Sequence, residues 1–201
     1  MKRNRRLVIL LAGLFMSAVA FAQSNKMAVD YLQVPGPITF DSKLYQLNWS
    51  THPAANFYKQ EYIVKGDNAD KYNAMILVDA VTGNTVIKNV VAAKVAELKK
   101  MKEANPVINY EVIDNPKTGE YLLDFLVTAN APNGTITIVE RNVYRYKTYT
   151  GKGGNKGVLL FGISTRAYGA AVNGFMTALQ TNRKDLMNKV AQFNISQLMD
   201  E

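Results

Sequence analysis

Cysteine is absent from all 201 residues, and histidine and tryptophan each occur once. Without cysteine no disulfide can staple the fold, no thiolate can serve as nucleophile, and cysteine-based zinc sites are excluded. The lone histidine, His52, is all that a Ser-His-Asp arrangement would have to work with. Ser50 lies too close to it in sequence to be a convincing nucleophile, and no nucleophile-elbow pattern occurs. In "NWSTHPAAN", His52 precedes Pro53 and reads as an exposed loop residue. Long apolar runs are missing too. The longest, Leu7 to Ala20, has about 14 residues where a membrane-spanning helix needs ~20.

That short run sits behind Lys2, Arg3, Arg5 and Arg6 and ends at Ala20-Phe21-Ala22. A charged start, a short apolar stretch and small residues before Gln23 form the pattern of a cleaved secretory signal peptide over residues 1–22. Lacking the cysteine of a lipid-attachment signal, the mature chain is expected to be periplasmic or secreted, with no transmembrane segment. The leader holds four of the 24 basic residues, so 20 remain against 16 acidic ones, a net charge of +4. This is too small an excess for a nucleic-acid footprint, and no nucleic-acid partner is expected.

The mature chain divides by period. Residues 23–37, with two prolines and no periodicity, read as an extended N-terminal arm, and residues 38–201 as a single α+β domain. "ITFDSKLYQLNW", "FYKQEYIVKG" and "YNAMILVDA" are three strand-like runs. Helical spacing of Ile87, Val91, Val95 and Leu98 follows, ended by Pro106. "VINYEVI", "EYLLDFLVTA", "TITIVERNVYRYKTY" and "GVLLFGISTR" then form a four-stranded antiparallel meander with short, turn-rich connections. A stripe through Val172, Phe175, Leu179, Leu186, Val190 and Phe193 predicts a long C-terminal helix, with a possible break near Thr181-Asn182. The expected fold is therefore an antiparallel sheet of six to seven strands flanked by a central and a C-terminal helix.

The glycine-rich "GKGGNKG" between the last two strands fails as a phosphate loop. It lacks the Gly-Lys-Ser/Thr ending and feeds a strand, where phosphate binding needs a helix N-terminus. A register in which Val112 faces Tyr121, Asp124 faces Arg141 and Tyr149 faces Val158 puts Tyr110, Leu123, Phe125, Tyr144, Tyr146, Leu159, Phe161 and Ile163 on one core face, covered by the helices. The other face then carries Glu120, Asp124, Arg141, Arg145 and Arg166, with Arg141 across from Asp124 and Arg145 across from Glu120. Such pairs tune a sheet surface. Ser164 and Gly162 beside Arg145 and Arg166 would form a shallow basic cup for a carboxylate or phosphate. Glu140 and Asn142 fall among the core residues, where polar groups need partners; bonding to a covering helix is the favoured solution and lining a cavity the alternative. Candidate ligand-binding residues are thus Glu140, Asn142, Arg145, Ser164 and Arg166, with no catalytic, cofactor or metal site assigned.

The order of elements resembles the Mog1/PsbP-like α/β/α sandwich. "YKQEYIVKGDNADKYNAMILVD" with the helix after it, "NPVINYEVIDNPKTGEYLLDF" and "VERNVYRYKTY" look like exported, uncharacterised bacterial proteins thought to share it. That resemblance implies a binding role toward protein partners and carries over no specific residue. Three functions stand: a non-catalytic binding or assembly module for a protein partner or small ligand of the cell envelope; a carrier of a small apolar or anionic ligand between sheet and helices; and a small hydrolase using Glu140 or Asp124.

Overall fold

A computed structural model describes residues 28–34, 36–151 and 154–195. The expected signal peptide lies outside the described residues, as do Lys152 and Gly153 of the glycine-rich loop. Among the described residues eight strands form one antiparallel sheet: β1 (Ile38–Phe40), β2 (Lys43–Ala54), β3 (Phe57–Val64), β4 (Ala74–Thr82), β5 (Asn109–Asn115), β6 (Glu120–Asn130), β7 (Ile136–Thr150) and β8 (Lys156–Tyr168). The expected count of six to seven is one short because "ITFDSKLYQLNW" is a hairpin. Asp41 and Ser42 both take positive φ, 49° and 62°, which reverses the chain in two residues.

The spatial order is β1-β2-β3-β4-β8-β7-β6-β5. Two meanders therefore meet at the centre, where β4 pairs with β8. Helix α1 (Ile87–Ala104) carries the chain from central β4 to β5 at the far edge. It buries Ile87, Val91 and Leu98 against Leu123, Phe125, Val127 and Tyr146. Pro106 stops it as expected: Asn105 is already extended. Helix α2 (Ala171–Gln192) is continuous through Thr181, whose hydroxyl donates back to the Ala178 carbonyl at 3.1 Å.

The helices occupy opposite faces, so the expectation of one helix-covered face and one solvent face is overturned. Val190 of α2 packs with Val143, Phe161 and Ile163, while Val172 packs with Val139 and Ala167. The rest of the α2 face is closed from the chain ends. Phe193 stacks on Phe161 with ring centroids 4.3 Å apart, and Leu32 and Val34 of the N-terminal arm are buried beside Tyr62. The arm is anchored through Gln60, fully buried, whose Oε1 accepts from the Leu32 backbone N–H at 2.9 Å and whose Nε2 donates to Asp30 at 3.0 Å.

Register decides which side chains share a face. Val112 pairs with Leu123 and Asp124 with Val143, each two residues from the expected register, which preserves the faces. Tyr149 pairs with Gly157, one residue off, which exchanges the two faces of β8. Leu159, Phe161 and Ile163 consequently lie under α2, while Leu160, Gly162, Ser164 and Arg166 lie on the α1 face beside Tyr146, Tyr144, Asn142 and Glu140.

Candidate functional site

Four of the five candidate residues converge on the α1 face. Alternation along β7 and β8 lines up Glu140 with Arg166 and Asn142 with Ser164. Glu140 is fully engaged: Oε1 accepts from Asn142 Nδ2 at 2.9 Å, and Oε2 accepts from Tyr72 Oη at 2.8 Å and from Arg166 Nε. Asn142 Oδ1 in turn accepts from Ser164 Oγ and, at 3.2 Å, from Tyr144 Oη. The Arg166 guanidinium lies 4.2 Å from the centre of the Tyr72 ring, and Tyr168 Oη donates to the Tyr72 carbonyl at 2.8 Å. Burial, with Glu140 next in importance, pushes the Tyr72 and Tyr144 hydroxyls well above the ordinary tyrosine range. Burial opposes the charge of Arg166, but Glu140, Tyr72 and Tyr168 together outweigh it and hold the guanidinium more firmly protonated than usual.

Glu140 and Asn142 thus bond neither to a covering helix nor into a cavity. Their partners are sheet neighbours and Tyr72, which follows the short 3-10 turn Ala69–Lys71 between β3 and β4. The cluster fastens that connection to β7 and β8. Gly162 is part of the construction, because a Cβ there would stand 2.6 Å from Cδ1 of the Tyr144 ring.

Arg145 does not join them. It lies on the opposite face, where Nε donates to Glu120 Oε2 at 2.7 Å and Nη1 donates to the Phe193 carbonyl at 2.8 Å. A cation bonding the last carbonyls of a helix is favoured by the helix dipole, so Arg145 caps α2 rather than binding an external anion. The basic cup of Arg145, Ser164 and Arg166 does not form.

The α2 face holds a second charged cluster. The expected pairing of Arg141 with Asp124 is present, bidentate at 3.0 and 3.2 Å, but at 3% and 2% exposure the two residues are buried rather than on a sheet surface. Arg183, reaching in from α2, donates to Asp124 Oδ2 at 2.6 Å and pairs with Glu111 at 3.2 Å. Beside this cluster, between α2 and the outer strands β5 and β6, runs an open groove of about 460 Å³. Its walls include Asn109, Met176, Leu179 and the exposed Asn173, Thr177 and Gln180. Tyr72 and Arg183 escape a sequence reading because each lies outside the meander, and nothing local marks it.

A carboxylate outside both clusters is Asp79 on β4, whose partly buried side chain has an Oδ1 closed off from solvent and without a hydrogen-bond partner. Burial raises its pKa to about 7; Lys59 opposes this, Glu61 reinforces it, and Lys94 and the Gln60 backbone oppose it. Glu61 is raised as well, again chiefly by burial. His52 is exposed as expected, but on β2 rather than in a loop, with its ring stacked on Tyr58 at 4.1 Å. Among the described residues, no three His, Asp or Glu side chains are grouped to hold a metal ion, and no helix is long and apolar enough to cross a membrane.

A family model of uncharacterised function matches residues 32–195, and the chain belongs to that family. No curated protein and no solved structure matches it.

Proposed function

We propose that this member of an uncharacterised family is a non-catalytic binding module of the cell envelope, exported by its leader and working through the groove between α2 and strands β5 and β6. The carrying observation is a contrast in hydrogen-bond saturation. Glu140 and Asp124, the two carboxylates a hydrolase would use, are each consumed by three donors. Asn173, Thr177 and Gln180, by contrast, present amide and hydroxyl groups to the open groove. Specific sites combine an apolar wall with a few convergent polar groups, and here Met176, Leu179 and Leu126 supply the wall.

Charge selects the ligand class. Arg141 and Arg183 are balanced by Asp124 and Glu111, so the groove has no free cation to recruit an anion. It suits a neutral group that both donates and accepts hydrogen bonds, such as an amide or a polyhydroxyl. Helices on both faces of one antiparallel sheet support the Mog1/PsbP-like reading, whose understood members bind partners. Native mass spectrometry of protein gently purified from its own envelope tests the proposal. A retained neutral adduct should be present on the wild type and lost from an Asn173→Ala/Gln180→Ala double variant. An adduct held equally by both, or a wild type that carries none, would refute the groove as the site.

A further inference from the structure

The two edges of the sheet are built differently. At one, β1 has three residues, and β2 beyond it shifts register twice against β3, contains Pro53, and is crossed by the arm, where the Val29 N–H donates to Ser50 Oγ at 2.9 Å. These are the devices by which proteins blunt an edge. At the other, β5 runs seven residues in unbroken register with β6, without proline, bulge or lysine. Among the described residues no ninth strand covers its outward N–H and C=O groups, and Val112 is 39% exposed.

We infer that β5 pairs antiparallel with β5 of a second copy, on a two-fold axis at Val112, joining two sheets into one of sixteen strands. The sequence "NYEVIDN" is self-complementary in that register. Val112 meets the partner's Val112, Glu111 meets the partner's Ile113, Tyr110 meets the partner's Asp114, and Asn109 meets the partner's Asn115. No like charges stand directly opposite, and the two apolar residues fall at and beside the axis. Lys102, at the C-terminal end of α1, already bonds Asn109 at 3.3 Å and there comes beside the partner's Asp114. Because Asn109 also lines the α2 groove, the pairing sets the partner's Asn115 at the groove mouth.

Pairing through one strand gives an interface at the small end of the specific range, hence a reversible dimer with a dissociation constant of roughly micromolar order. Sedimentation velocity of the chain without its leader, residues 23–201, from ~1 to ~100 μM, should show the mass double over that range. Val112→Lys and Val112→Glu each place like charges on the axis and should raise the dissociation constant by about tenfold or more. Mixed one to one, the two variants should restore the dimer, since Lys then faces Glu. Circular dichroism should be unchanged, Val112 being a surface position. A wild type that stays monomeric throughout, a Val112→Lys protein that dimerises normally, or a mixture that does not recover would each overturn the pairing. Val112 does not line the groove, so the mass of the protein reports on pairing and the retained adduct reports separately on ligand binding.

Discussion

Replacing Asp79 with Asn should stabilise the protein at neutral and alkaline pH and leave it nearly unchanged at pH 4. In the unfolded chain this carboxyl titrates near 3.8, and in the fold burial raises it to about 7. Well below pH 3.8 both states hold the proton and the group makes no difference to stability; at pH 4 the difference is still small. As pH rises toward 7 the unfolded chain ionises first, so folding becomes progressively less favourable, and above 7 the loss is complete. At about 1.4 kcal/mol per pH unit, the separation is worth about 4 kcal/mol at most. Solvent reaching the partly exposed side chain brings this nearer ~2 kcal/mol. Asn cannot ionise, so the variant escapes that loss, while Glu61, raised in the same direction, is retained and cancels in the difference. Urea unfolding at half-unit steps from pH 4 to 8 would give the difference curve. It should rise from near zero to about 2 kcal/mol between pH 4 and 7. Curves that run parallel would show that Asp79 ionises in the fold as freely as in the unfolded chain, and the burial argument would fail.

Two further substitutions test the charged clusters. Asp124→Asn leaves Arg141 and Arg183 without their shared carboxylate, and because Arg141 is 3% exposed the expected loss is about 3 kcal/mol in the denaturation midpoint analysis; a loss under ~1 kcal/mol would mean that water screens the pair. Gly162→Ala forces the Tyr144 ring off β8 and should cost about 1–3 kcal/mol. That cost should largely vanish in a Tyr144→Ala background, and equal costs in both backgrounds would place the strain elsewhere.

What the sequence discloses depends on how many ways a local pattern can be satisfied. The α1 stripe has one solution, since Ile87, Val91 and Leu98 share a face only in a helix, and Pro106 allows one stop. The pairings within β5, β6 and β7 survive a two-residue error because the side-chain period is two. Asp124 still finds Arg141 and Glu120 still finds Arg145, as diagonal neighbours. β8 is different. Val158, Leu159, Leu160 and Phe161 are apolar in succession, so alternation names no preferred face. The loop before β8 closes with the Gly151 N–H on the Asn155 carbonyl at 2.9 Å, and so glycine-rich a loop accepts neighbouring registers. That single step parted Arg145 from Ser164 and Arg166, and with it went the basic cup. The second helix-covered face was partly visible, since Leu122, Leu126, Val139 and Val143 alternate with the charges. An apolar row among ion pairs signals a buried face that also carries charge.

The arginine–carboxylate clusters are then best understood as devices for arrangement. A buried ion pair gains little net stability over apolar packing, yet it penalises any alternative in which one partner is stranded. The Glu140 cluster fixes the connection before β4 on one face, and the Asp124 cluster fixes α2 on the other. Arg145 fixes where α2 ends. Each spends its hydrogen-bonding capacity inside the molecule, which removes it from the inventory of binding groups. What remains uncommitted is the outer row of α2 and the free side of β5. These meet at Asn109, which belongs to both the groove and the edge strand. The proposed binding in the groove and pairing at the edge would therefore be adjacent events, and a ligand contacting Asn109 would alter the surface on which a second copy would dock.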